Sequence, residues 1–235
     1  MEIAFIVHNM DMDELKAAAA KSAAALVTHG MIVGLGSGST AALAVGALGR
    51  RVREGLRITG IPTSEDTAAQ ARALGIPLTT LTETSEIDLT IDGADEVEYK
   101  TLNLIKGHGG ALLREKIVAN VTKRLVIVVD DSKLVQHLAA KFPVPVEVVP
   151  FGWQATARQL EALGAKPLLR LNADGKPFVS DGGHHILDCA FTDVNAESLA
   201  KELDHIVGLV EHGLFIGFAK EVHVASASGV QIMVV

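Results

Sequence analysis

Cysteine occurs once in this sequence, at Cys189, so no internal disulfide can form. Its setting in the apolar run HHILDCAF reads as a buried strand position rather than a nucleophile. Runs of Lys and Arg are missing too, and the formal net charge of -7 argues against a nucleic-acid surface. The same charge would repel an anionic ligand unless lysines and backbone amides reverse the field locally. The N-terminus, MEIAFIVHNMDMDE, has no basic segment or small-residue cleavage site, so a cytoplasmic protein is expected. Residues 22–49 contain no Asp, Glu, Lys or Arg, yet Gly30, Gly34, Gly36, Gly38, Ser37, Ser39 and Thr40 interrupt the run, and no membrane span is expected. Metal-ligand spacing is also lacking: His184 and His185 are adjacent, and neighbouring strand residues point to opposite faces.

What is present begins with Met31–Leu35 (MIVGL), a short apolar strand running into Gly36, Ser37, Gly38, Ser39 and Thr40 and then an alanine-rich helix from Ala41 to Leu48. A strand, glycine loop and helix in this order aim amide hydrogens and the helix dipole at an anion, with phosphate the natural guest. No Lys follows the loop as in a Walker A motif, and Ser39 stands at the third glycine position of a dinucleotide fingerprint, so no nucleotide cofactor is expected. A tight turn without a ligand is the alternative reading.

The densest chemistry lies at Asp92–Glu115, DGADEVEYKTLNLIKGHGGALLRE. Ile87–Ile91 reads as a buried strand, which puts Asp92, Gly93, Ala94 and Asp95 at its C-terminal end, where open α/β sheets bind ligands. Lys106, Gly107, His108, Gly109 and Gly110 form a turn with unusual backbone freedom. A helix follows over Ala111–Ala119, carrying Glu115, with Leu112, Leu113, Ile117 and Val118 as candidate inward positions. Local sequence reads Lys16, in the helix-forming run that starts at Asp13 and has Gly30 as its stop, as a solvated lysine.

The rest of the chain supplies the frame. Strands at Leu56–Ile61, Ile87–Ile91 and Arg124–Asp130 alternate with helices, implying a mostly parallel sheet flanked by helices. Asp130, Asp131, Ser132 and Lys133 end a strand on the same rim. Thr63 and Ser64 offer helix caps. After Lys141 the prolines of FPVPVEVVP mark a boundary, and the following order β, α, β, β, α, β matches a ferredoxin-like α+β unit. The expected division is a large α/β domain at 1–141 plus 216–235, with 1–12 as a possible extension, and a small domain at 142–215. Lys220–Val235 is expected to return to the large domain.

Together GLGSGSTA (34–41), IDGADEVE (91–98), IKGHGGALLREKIVA (105–119), DDSK (130–133) and PVPVEVVP (143–150) resemble the type A ribose-5-phosphate isomerases from about Asp13 to the C-terminus. Ser37 stands where Thr is usual, His108 interrupts a lysine-plus-glycine run, and SDGGHHILD replaces a segment usually like TDNGNYILD. The resemblance implies interconversion of ribose 5-phosphate and ribulose 5-phosphate with Glu115 as base and Lys106 stabilising an oxyanion. It also implies Asp92 and Asp95 in ring opening and hydroxyl proton transfer. Ser37, Gly38, Ser39, Thr40, Gly93, Ala94, Gly107, His108, Gly109, Lys133 and Lys16 would bind the sugar phosphate. No cofactor or metal is implied, and a homodimer or homotetramer is. A sugar-phosphate sensor and a coenzyme A transferase are the alternatives; about a dozen residues before the core are too few for a DNA-binding unit.

Overall fold

The computed structural model describes residues 11–192 and 195–235, so nearly all of the expected N-terminal extension lies outside the described residues. Helix α1 (Met12–Ala24) opens on a capping box in which Asp11 accepts from the Glu14 amide and Glu14 accepts from the Asp11 amide, each at 2.9 Å. It ends at Ala24, short of the expected run. A turn then carries buried Val27 into the core before Gly30.

Strand β1 (Ile32–Leu35), α2 (Ser39–Arg53), β2 (Thr59–Pro62), α3 (Glu65–Ala73) and β3 (Leu89–Asp92) follow as alternating elements. The chain then makes two short strands, β4 (Glu96–Glu98) and β5 (Leu104–Ile105), before α4 (Leu112–Asn120), β6 (Leu125–Asp130) and β7 (Leu134–Val135). Beyond the prolines come β8 (Val144–Val148), α5 (Trp153–Ala162), β9 (Lys166–Leu169), β10 (His185–Ala190), α6 (Ala196–Leu203) and β11 (Leu209–His212). The C-terminal part holds β12 (Leu214–Phe215), β13 (Glu221–Ser226) and β14 (Gly229–Val234).

The main sheet has the order β14-β13-β6-β3-β1-β2. Its pairings are parallel except for the terminal β13–β14 hairpin, so the tail both returns to this sheet and closes it. The central strands β6, β3 and β1 are buried apolar runs, as a sheet covered on both faces requires. From β1 the chain moves outward to β2, whereas β3 leads to β6 on the opposite side. The strand order therefore reverses between β1 and β3, and their C-terminal ends form the crevice where ligands bind in such sheets.

The second sheet, β11-β8-β10-β9, is antiparallel and has the ferredoxin-like strand order. Its core draws Ile105, Val135 and Leu138 together with Val146, Leu160, Leu187 and Leu203. A third small sheet, β12-β5-β4-β7, was not legible in the pattern of the sequence. It joins the loop after β3 to the chain leaving the antiparallel unit, which seats the Asp92–Glu115 segment between the two larger sheets.

Helix α4 differs from expectation in its inward face. Leu112, Glu115, Val118 and Ala119 are buried, while Ile117 is 46% exposed and Leu113 only half-buried. The stripe at i, i+3, i+6 and i+7 includes the carboxylate, and the helix turns Ile117 off it.

Candidate active site

Backbone geometry at the ends of β1 and β3 builds the floor. Gly36 follows β1, and a Cβ there would stand 2.2 Å from Asp92 Oδ1 and 2.6 Å from its Cα, so only glycine lets the two strand ends approach this closely. Gly38 caps α2 with φ 91°, leaving the first amides of that helix at the loop with Ser39 and Thr40. The Ser37 amide donates to Asp92 Oδ1 at 3.2 Å and the Gly93 amide donates to the same oxygen at 2.8 Å. The Ser37 hydroxyl is bonded to Thr63 at 2.7 Å and Ser64 at 2.8 Å. Ser64 also caps α3.

Lys106 extends from the end of β5 into this floor. Its Nζ lies 3.0 Å from Asp92 Oδ2 and 3.4 Å from Glu115 Oε1, and donates to the Gly93 carbonyl at 2.6 Å. All three charged side chains are buried. Glu115 Oε2 has no hydrogen-bond partner among the described residues. A single ammonium thus serves two desolvated carboxylates.

The electrostatic consequence follows from that imbalance. Burial pushes the Glu115 carboxyl up, Lys106 opposes the rise, and the nearby Asp92 and Asp95 charges add to it, leaving Glu115 at about 8. Asp92 is also raised by burial, against Lys106 and the amides of Gly93 and Ser37. Burial pulls Lys106 down, but Asp92 and Glu115 outweigh it and its net shift is upward, so it stays cationic.

These groups face a cavity that collects most of the residues singled out in the sequence. Its walls are the glycine loop at Ser37, Gly38, Ser39 and Thr40, the turn at Gly93, Ala94 and Asp95, and the second turn at Lys106, Gly107 and Gly109, with Glu115 at the base. Lys16 from α1 and Lys133 from the end of β6 complete it. The Lys133 ammonium also lies 4.9 Å from the centre of the Phe142 ring. Two lysines at the wall and Lys106 within supply the local positive field that a negatively charged chain needs to hold an anion. A larger groove of about 640 Å³ runs along α3 and the exposed face of α4 at Ile117, and has no comparable constellation.

Two expected site residues are placed differently. Asp92 is not among the side chains lining the cavity; its oxygens are taken up by Ser37, Gly93 and Lys106. His108 is exposed and also stands outside the cavity wall, with its ring edge-on to Phe142 at 4.8 Å. Glycine on either side of His108 lets the backbone turn its side chain outward, while its amide donates to Asp95 Oδ2 at 3.0 Å. Cys189 is fully buried in β10, and burial pushes its thiol up. Among the described residues no group of three or more His, Cys, Asp or Glu could hold a metal ion. His184 bonds instead to buried Glu147 at 2.9 Å.

Pattern reading missed Arg170, Asp188 and Phe178 of the antiparallel unit, which reach the second turn from outside. Arg170 forks onto Asp188 and donates through Nη1 to the carbonyls of Gly107 at 2.9 Å and His108 at 3.0 Å. The nearest signal was the pairing of two strands, since Asp188 stands opposite Leu168 and Arg170 is its diagonal neighbour.

The family described as ribose 5-phosphate isomerase A (phosphoriboisomerase A) matches residues 59–229. Similar curated proteins include the ribose-5-phosphate isomerase A of Synechococcus sp. (strain JA-3-3Ab), 56% identical over 223 residues that cover 94% of this chain and 97% of that protein. The protein of the same name from Gloeobacter violaceus is 58% identical over 225 residues, 95% of this chain and 97% of that one. Among solved structures, ribose 5-phosphate isomerase A from Methanocaldococcus jannaschii superposes with a TM-score of 0.92 at 42% identity, covering 96% of this chain and 100% of that one. A D-ribose-5-phosphate isomerase in complex with phospho-erythronic acid gives 0.93 at 37% identity, over 96% of this chain and 100% of that one. With the parallel sheet, its crevice and the buried lysine and carboxylates all in place, the chain belongs to the ribose 5-phosphate isomerase A family.

Proposed function

We infer that this chain is an aldose-ketose isomerase that interconverts D-ribose 5-phosphate and D-ribulose 5-phosphate, and that Glu115 carries the transferred proton. The observation that supports this most strongly is the unpartnered Oε2 of Glu115, on a carboxyl held near neutrality beside a buried ammonium. A carboxylate in water is too weak a base to take a proton from carbon next to a carbonyl. Desolvation brings its pKa toward the working pH, where acid-base transfer is most effective.

Half-buried Asp95 at the cavity wall takes the hydroxyl proton as the furanose opens and returns one to the ring oxygen. Ionised Glu115 removes the proton from C2, and the electron pair moves through the C1–C2 bond to the carbonyl oxygen, giving an enediolate. Lys106 stabilises that oxygen charge, with Asp92 fixing the ammonium in place. Asp95 takes the proton from the C2 hydroxyl and returns it to the oxygen at C1, and protonated Glu115 delivers its proton to C1 as the oxygen at C2 becomes the carbonyl. Lys16, Lys133 and the glycine loop at Ser37, Gly38, Ser39 and Thr40 bind the phosphate, and the turn residues Gly93, Ala94, Gly107 and Gly109 shape the sugar's path. An unreactive phosphate held by fixed donors orients the reacting carbons.

The alternative of a coenzyme A transferase with Glu115 as nucleophile is not favoured by the family match over most of the chain. The large unit at 1–141 plus 216–235 supplies the chemistry, and the unit at 142–215 braces it. A homodimer or homotetramer in the cytoplasm is the proposed setting. No helix of the described residues is long and apolar enough to cross a membrane. Exposed Phe151, after β8, and Val207, before the edge strand β11, are candidate contacts between copies. Sedimentation velocity measures the assembly directly.

Conversion of ribose 5-phosphate to ribulose 5-phosphate by purified protein, with chelator present, tests the reading. Wild-type activity with a loss of about 10²–10⁴-fold in kcat for Glu115→Gln is expected. Equal activity of the two proteins removes Glu115 from the role of base, and an inactive wild type that still binds the sugar phosphate turns the reading to a sensor.

A further inference from the structure

Arg170 is anchored on three sides. Its guanidinium is held by both oxygens of Asp188, lies 5.8 Å from the centre of the Phe178 ring, and donates two hydrogen bonds to successive carbonyls, those of Gly107 and His108. The backbone fixes the same register, because the Arg170 amide donates to Ile186 and the Phe178 amide donates to the Arg170 carbonyl. Phe178 presses on the turn as well: a Cβ at Gly110, where φ is 83°, would stand 2.4 Å from its ring.

In a trans peptide the N–H points opposite to the C=O of the same plane. The Gly107 carbonyl turned toward Arg170 therefore aims the His108 amide the other way, where it donates to Asp95. By the same geometry, the His108 carbonyl turned toward Arg170 aims the Gly109 amide toward the side on which Asp95 and Gly109 line the cavity. A cation on the carbonyls also polarises both peptides and strengthens their amides as donors.

We propose that Arg170 is a positioning residue for the isomerisation: from the antiparallel unit it clamps the Gly107–Gly109 peptides so that the His108 amide holds Asp95 and the Gly109 amide faces the reacting oxygens. This rests on the isomerase reading above. The turn's own bond, from the Gly110 amide to the Gly107 carbonyl at 2.9 Å, leaves the His108–Gly109 peptide of this glycine-rich backbone free, and the paired hydrogen bonds of one planar guanidinium fix both carbonyls.

The test measures steady-state isomerisation by the full chain for Arg170→Ala and Arg170→Lys across pH, with binding of phospho-erythronate as an independent probe. For Arg170→Ala, kcat is expected to fall about 10–100-fold, somewhat below the loss typical for deletion of an oxyanion donor. The pH midpoint set by Glu115 should hold or fall in part, because the burial that raises it belongs to α4 while the charge of Asp95 adds to it. Arg170→Lys, which keeps the charge on one donor nitrogen without the planar fork, should recover part of the loss, and phospho-erythronate affinity should rank the three proteins in the same order. A folded Arg170→Ala enzyme with wild-type kcat overturns the proposal. So does a loss of activity accompanied by a midpoint in the ordinary carboxylate range near 4.5, which signals general opening and hydration of the site. If Arg170→Ala does not fold, Arg170→Lys decides: wild-type kcat and phospho-erythronate affinity in that variant overturn the proposal, and a reduced kcat with a midpoint still well above 4.5 supports it. An inactive wild type would instead count against the isomerase reading itself.

Discussion

Glu115 Oε1 stands 3.4 Å from Lys106 Nζ, while its other oxygen, Oε2, has no partner among the described residues. One oxygen is thereby tied to the ammonium that would stabilise an enediolate, and the other is left to exchange a proton with carbon. Their common burial couples stability to catalysis.

With Glu115 at about 8, the free enzyme should gain kcat/KM as pH rises, with a midpoint near that value. A profile of kcat/KM between pH 4 and 10 checks this; a midpoint in the ordinary carboxylate range near 4.5 would contradict it.

The same shift has a stability sign. A carboxyl raised in the folded state favours folding fully below its unfolded pKa near 4.5, and that contribution is lost as pH rises through about 8. Glu115→Gln should therefore be more stable than wild type at pH 8 and above, by about 1–2 kcal/mol or a few degrees in Tm. Differential scanning calorimetry at pH 6 and 9 should show the gap widening at the higher pH.

Removing the cation should have the opposite effect. Lys106→Met leaves Asp92 and Glu115 buried without a counter-charge, a defect of about 3–5 kcal/mol. Urea unfolding should show a lowered midpoint, and Lys106→Met combined with Asp92→Asn should recover part of the stability while remaining inactive.

At the strand ends, Gly36→Ala forces a methyl group onto the Asp92 backbone. Overpacking of this kind costs about 1–3 kcal/mol, and moving Asp92 displaces Lys106. Thermal unfolding together with kcat should register both losses.

Lys16 and Lys133 hold no reacting atom in this scheme, so Lys16→Ala and Lys133→Ala should each raise KM about 10-fold and change kcat little, as loss of uniform binding does. Initial rates at two salt concentrations check the assignment: the wild-type KM should rise with salt more steeply than that of either variant.

The alternation of apolar strands and helices determined the α/β class, because burial on both faces of a parallel sheet demands those runs. The DGAD and KGHGG motifs pointed to the candidate site, since carboxylates, lysine and glycine at strand ends have few structural uses together. The ferredoxin-like strand order was also readable from the sequence of elements after Lys141. Side-chain direction was not. That Asp92 meets Lys106 and the Ser37 amide depended on Gly36 letting β1 and β3 close to within a backbone contact, and whether Ile117 or Glu115 faced inward depended on how α4 packed. The short β12-β5-β4-β7 sheet and the clamp from Arg170 join residues up to about a hundred positions apart, through backbone pairing and two carbonyls that leave no periodic trace in the sequence. Local propensity and patterning specified the elements, and only the tertiary structure decided which atoms the chemistry could use.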